Sequence, residues 1–166
     1  MMRSMYMAIA GMALLGGSGS AASQPLPTVT YRFLPLGLAI EAAQAAIATC
    51  KAEGHNIAVT IVDRGGNLKL AFVADGAEVI PDVSYRKAYT AATRRITTIE
   101  LADAVAVPGA FNPTLYDSMM VTAGGGVPIK AGNEFIGGIG VGGAPAGETD
   151  ERCARAGLAK IADRLK

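Results

Sequence analysis

From Gly124 to Gly143 nearly half the positions are glycine, yet the residues between them are patterned rather than low in complexity. Val127-Pro128-Ile129-Lys130 and Glu134-Phe135-Ile136-Gly137-Gly138-Ile139-Gly140-Val141 read as the two strands of a hairpin. Ala131-Gly132-Asn133 joins them through a turn that offers a residue able to take positive φ. Glycine weakens a strand interior and marks a bulge or a place where something approaches the backbone closely. Gly137, Gly138 and Gly140 therefore predict a helix, a second subunit or a ligand packed directly on the second strand.

The rest of the chain must supply what this hairpin packs against. At 166 residues and 51% hydrophobic content it holds one domain with ample material for a core. Its 15 basic and 14 acidic residues are interspersed and leave a formal charge of +1, so the electrostatic footprint of a nucleic-acid binder is missing. The absence of tryptophan and the few other aromatics argue equally against a stacking platform for single strands.

The first 22 residues have the order of an export signal: Arg3, an apolar run from Met7 to Leu15, then small residues from Gly16 to Ala22. Cleavage after Ala22 is expected, giving a periplasmic or secreted protein, with an uncleaved tethering helix as the alternative. The apolar run is too short to span a bilayer, and no later stretch reaches the roughly 20 residues a membrane helix needs.

Residues 23–35, with Pro25, Pro27 and Pro35, read as an extended linker or a short edge strand. A helix follows, with Leu36, Ile40, Ala43, Ile47 and Cys50 on one face and Gly54 placed to stop it. Asn56–Asp63 and Leu68–Val73 form a hairpin around Arg64-Gly65-Gly66-Asn67. A second helix begins near Val83 and runs through Arg94, a short one covers Thr98–Val105, and Pro108–Thr122 is mostly loop. Thr149 is the expected N-cap of the last helix, with Asp150 and Glu151 in its first turn and Ala154, Leu158, Ile161 and Leu165 on its buried face. This order predicts an α+β domain: helices against one antiparallel sheet of four or five strands.

Lys87, Thr90 and Arg94 fall at i, i+3 and i+7 on the second helix. A cation, a hydroxyl and a second cation in one row suit an anionic ligand such as a carboxylate, unless the row is simply a solvated face. The amides of Gly124, Gly125 and Gly126 offer an anion-binding nest or only a flexible turn. They are no nucleotide fingerprint, because they precede a strand rather than open a helix. Glu134 and Asp63 are isolated carboxylates, and Asp63 beside Arg64-Gly65-Gly66 reads most simply as a turn residue. His55 is the only histidine, so neither a histidine-based metal site nor a Ser-His-Asp triad is expected. Cys50 and Cys153 are open to two readings, a disulfide in an oxidising compartment or buried thiols beside apolar faces.

Val59-Thr60-Ile61-Val62-Asp63-Arg64-Gly65-Gly66, Arg86-Lys87-Ala88-Tyr89-Thr90-Ala91, Gly124-Gly125-Gly126-Val127-Pro128-Ile129 and Ile136-Gly137-Gly138-Ile139-Gly140-Val141-Gly142-Gly143, followed by Asp150 and Cys153-Ala154, resemble the GlcG/HbpS family, which includes the C-terminal domain of PduO-type proteins. The resemblance spans residues 36–166. It implies a profilin-like fold, an antiparallel sheet flanked by helices, and assembly as oligomers. For exported members it implies haem binding, with a threonine corresponding to Thr90 implicated in holding the haem.

Two functions follow as expectations. One is an exported protein holding haem, or a similar small anionic ligand, noncovalently between the Lys87 helix and the glycine-rich hairpin, with Lys87, Thr90, Gly124, Gly125 and Gly126 as contacts. Iron donors would then come from His55, Tyr85, Tyr89, Tyr116, Met119 or Met120. The other is a small isomerase, tautomerase or lyase acting on a carboxylated metabolite, with Lys87 as acid, base or anchor and Glu134 or Asp63 as proton shuttle. In either case a homo-oligomer is expected, through the flat surfaces of the glycine-rich strand and the alanine-rich first helix.

Overall fold

A computed structural model describes residues 26–79 and 81–166. The leader, its cleavage point after Ala22 and residues 23–25 lie outside the described residues. The chain divides into two units, residues 1–30 and 31–166. Of the first, residues 26–30 are described, as exposed chain without helix or strand. The second holds α1 (Leu36–Ala52), β1 (Ala58–Asp63), β2 (Leu68–Val73), α2 (Pro81–Arg94), α3 (Thr98–Ala106), β3 (Gly126–Ala131), β4 (Glu134–Gly142) and α4 (Gly147–Ala159), with short 3-10 turns at Pro113–Leu115 and Ala162–Arg164.

The four strands form one antiparallel sheet in the order β2-β1-β4-β3. The two hairpins predicted from periodicity therefore meet through β1 and β4, whose register runs from Ala58 opposite Gly142 to Asp63 opposite Gly137. Central position explains why β1 is buried from Ala58 to Val62, Thr60 included: it is covered on both faces. On one face α1 and α4 enclose a core of Ile57, Val59, Ile61, Ile129, Ile139, Val141 and Ile161. On the other lies α2, packed through Tyr85, Ala88 and Ala92 around Val62.

What packs on the glycine-rich strand is α2. A Cβ at Gly140 would overlap the carbonyl oxygen of Ser84, and one at Gly138 the carbonyl oxygen of Ala88. The helix backbone thus rests directly on the strand, and any larger residue would push it away.

Two local expectations are corrected. The buried face of α1 is Ala39, Ala42, Ala43, Ala46 and Cys50, while Leu36 is 55% exposed and Ile40 and Ile47 sit at the margin of the core. Alanine wins because α4 lies so close: a Cβ at Gly157 would be 2.5 Å from the carbonyl oxygen of Ala42, leaving no room for branched side chains between the helices. The last helix starts before Thr149, with Ala146 as N-cap and no side-chain cap. Its carboxylate at Asp150 instead reaches back to accept the N–H of Ala144 at 3.0 Å. Cys50 and Cys153 are disulfide-bonded, with Cα atoms 5.7 Å apart, and tie α1 to α4.

Candidate functional site

On α2 the sequence alternates two kinds of residue, and the structure separates them by depth. Lys87 and Thr90 point inward and are 4% and 0% exposed, whereas Arg94, one further turn on, is exposed. Lys87 Nζ donates to Asp150 Oδ2 at 2.7 Å in a buried ion pair that joins α2 to the first turn of α4. Burial pushes the Asp150 carboxyl above its ordinary value, and the Lys87 ammonium and the Ala144 N–H oppose that shift without cancelling it. The pair lies beneath the triple-glycine turn. Gly125 has φ +120°, and a Cβ there would stand 2.8 Å from Asp150 Cβ and 3.1 Å from Lys87 Nζ. Gly124 rests backbone to backbone on Gly147, and Gly126 donates its N–H to Thr98 Oγ1 at 2.9 Å. The ammonium that sequence reading offers to an anionic ligand is thus held by an internal carboxylate.

Thr90 is tied up in a different way. Its hydroxyl donates to the carbonyl of Arg86 at 2.8 Å and accepts the N–H of Val121 at 3.0 Å, fastening the segment before β3 to α2. Two more bonds do the same: Tyr89 Oη donates to Asp117 Oδ2 at 2.8 Å, and Arg86 Nη2 to the carbonyl of Ser118 at 2.7 Å. The hydrogen bond to Asp117 raises the Tyr89 phenol above its usual pKa, so it remains a neutral donor at physiological pH. Between this segment and α2 lies a cleft of about 410 Å³ lined by Arg86, Thr114, Met120, Val121, Thr122 and Ala123. The same loop carries Val107, Phe111, Leu115 and Tyr116, each at least 60% exposed. The Phe111 and Tyr116 rings are stacked with centroids 5.3 Å apart. Exposed apolar side chains gathered on one loop mark a binding surface more often than scattered ones do.

The carboxylates named for proton transfer sit elsewhere. Asp63 Oδ1 accepts from the N–H of Gly65 and of Asn67, a turn role. Glu134 accepts the N–H of Arg32 and lies 3.7 Å from Arg64. Lys87 packs where Gly126 pairs with Gly140, while Glu134 opens β4 six residues earlier, about 20 Å away at the rise of a strand. Lys87, Glu134 and Asp63 therefore do not converge on one reaction centre. Sequence reading missed the cleft because Pro108–Thr122 has no periodicity, although Phe111, Leu115, Tyr116, Met119 and Met120 all fall within that short segment. It also missed Asp150 as the partner of Lys87, since 63 residues separate them.

Among the described residues no group of three or more metal-ligating side chains is found and no helix is long and apolar enough to cross a membrane. The family model described as "Haem degrading protein HbpS-like" matches residues 34–159. An uncharacterized 15.0 kDa protein in the dhaT-dhaS intergenic region of Citrobacter freundii is 37% identical over 128 residues, 73% of this chain and 84% of that protein. Among solved structures, a double mutant of Streptomyces reticuli HbpS is 36% identical, covers 83% of this chain and 97% of its own, and superposes with a TM-score of 0.72. A PduOC:haem complex is 27% identical, covers 78% and 96% of the two chains, and superposes with a TM-score of 0.71.

Proposed function

Because the chain belongs to the HbpS-like family, we propose that it binds haem noncovalently, and that the haem seats in the cleft between α2 and the 107–123 loop. The observation that carries this reading is the chemistry of the cleft. Haem is a flat apolar ring with two carboxylates and an iron that takes N, S or O donors. Arg86 lines the cleft and has N–H groups beyond the one spent on Ser118, which suits a propionate. Met120 lines it as well, Met119 precedes it, and Tyr116 stands on the same loop, so thioether and phenol donors are at hand. Phe111, Leu115 and Tyr116 supply the apolar surface that a porphyrin face needs. Such residues fit the group, and the haem complex of a relative supports the reading.

When bound, haem would supply a redox-active iron. The chain's own part is to hold it. Thr90 fixes Val121 at the cleft wall, and Lys87, clamped by Asp150 under Gly124, Gly125 and Gly126, holds α2 against α4. These residues brace the seat from beneath. On the evidence of the basic, apolar, small-residue leader, the protein works outside the cytoplasm, in the periplasm or secreted.

Hemin titration followed by the Soret band tests the assignment. Arg86→Ala removes a charge-assisted hydrogen bond and is expected to weaken binding roughly ten- to a hundredfold. Met120→Ala is expected to change the position of the Soret band if the thioether ligates iron. Thr90→Ala weakens binding less. Parent-like titrations of both Arg86→Ala and Met120→Ala, with the fold intact by circular dichroism, would move the seat elsewhere.

A further inference from the structure

Two clefts open along the β3 edge, of about 520 Å³ and 460 Å³, each within the roughly 300–1,000 Å³ of small-molecule sites. They share Val127, Pro128, Lys130 and Arg155, so they form one groove around that edge. Neither shares a lining residue with the cleft proposed for haem. The edge is closed to an added strand, because Gly126 spends its N–H on Thr98 and Pro128 has none to give. An occupant must therefore be held by side chains.

The two ends of the groove differ in chemistry. One is apolar, with Leu158, Ala159, Ala162 and Leu165 lining it beside Val127 and Pro128. The other carries Arg95, Lys130 and Arg155, with Glu100 as the one carboxylate that lines it. Glu100 is already committed: its Oε2 accepts the N–H of Thr97 at 2.7 Å in the capping box of α3. Arg155 is shared with Glu151. Arg95 and Lys130 have no such partner, since the ion pairs among the described residues take up Arg64, Lys87, Arg152, Arg155 and Arg164. Both lean on one ring instead, with Arg95 Cζ 5.6 Å and Lys130 Nζ 4.4 Å from the centroid of Phe135. Like charges gathered there repel each other, and an anion beside them would relieve it.

Arg95 also stands in a costly conformation. It follows the last residue of α2, bonds its N–H to the carbonyl of Ala91, and has φ 62°, the only positive φ at a non-glycine among the described residues. Glycine closes a helix in this way without strain. The turn alone therefore gives no reason for an arginine, whereas a guanidinium at the groove does.

We propose that the groove binds a straight-chain carboxylic acid, with the carboxylate at Arg95 and Lys130 and the alkyl chain running past Val127 and Pro128 to Leu158 and Ala162. A carboxylate accepts two N–H bonds from one arginine fork. A flexible chain can follow a groove bent around a strand edge, which a flat rigid ring cannot.

Isothermal titration calorimetry of the parent and three variants with sodium decanoate, below its micelle-forming concentration, tests this. The parent is expected to bind decanoate, and to bind decanol, which lacks the charge, and acetate, which lacks the chain, at least tenfold more weakly. Lys130→Ala should weaken decanoate binding about tenfold. Arg95→Gly should do the same while the thermal midpoint stays level or rises, because glycine suits the left-handed turn. Ala162→Trp sets an indole in the apolar end and should also weaken binding about tenfold, with an unchanged circular dichroism spectrum. Arg155 is left in place, since removing it would strand the buried Glu151. A parent that does not bind decanoate, decanol bound as tightly, or parent-like binding by both Lys130→Ala and Arg95→Gly would overturn the proposal. So would a lower mass for Ala162→Trp than for the parent by light scattering, which would seat a second copy of the chain in the groove.

Discussion

Lys87 and Asp150 are the residues whose roles change most between sequence and structure. A buried pair of charges has lost its hydration, so removing one partner strands the other, at a cost of about 3–5 kcal/mol. Lys87→Ala should destabilise by that amount in denaturant unfolding. Lys87→Met with Asp150→Asn should recover most of it, because Asn keeps the acceptor for Ala144 N–H while neither side chain is charged. The pH dependence has a definite sign. The Asp150 carboxyl is raised above 3.8, so over a window that opens there and extends upward the folded chain keeps a proton that the unfolded chain has released. Its contribution to stability therefore falls as pH rises through that window, until the folded carboxyl is ionised too. Asp150→Asn removes the effect, so the stability of the parent relative to this variant should decline as pH rises from the ordinary carboxylate range. A difference that is flat or rises with pH would show that the ion pair outweighs burial.

Among elements, α2 contributes most to the arrangement, since it lies across the glycines of β4 and β3 and carries Arg86, Tyr89 and Thr90 to the cleft loop. Gly140→Ala would drive a methyl group into the backbone of that helix at Ser84, and the cost should reach the upper end of overpacking, about 3 kcal/mol or more. Gly37→Ala is the contrasting case. Gly37 lies in α1 with nothing within 4 Å of where its Cβ would stand, so the substitution should stabilise by about 0.5–1 kcal/mol through helix propensity alone. Thermal unfolding of the two variants distinguishes a glycine needed for space from one that is merely tolerated.

At the scale of the molecule the disulfide is the longest covalent tie, closing 103 residues between α1 and α4. Cross-linking so long a segment restricts the unfolded chain, and losing it should cost about 2–5 kcal/mol. Cys50→Ala with Cys153→Ala should lower the denaturant midpoint without changing hemin affinity, because the bond lies on the opposite face of the sheet from α2. Because the two cysteines are bonded to each other, a thiol count under denaturing conditions should find none until a reductant is added, and two thereafter.

Local physics made much of this fold legible in the sequence. Period-two apolar runs bounded by glycine turns gave both hairpins nearly to the residue, and the α+β order followed from element succession. The resemblance of the 86–91 and 124–143 motifs pointed to the family, and with it to haem. Only the tertiary structure could place Lys87 on Asp150, Thr90 on Val121 and Ala42 on Gly157, because each contact joins residues distant in the chain whose types are equally at home on a solvated surface. A lysine in a helical row looks the same to periodicity whether it meets water or a carboxylate. What decides is which element lies over it, and here the glycines that let α2 sink onto β4 also bury the charge.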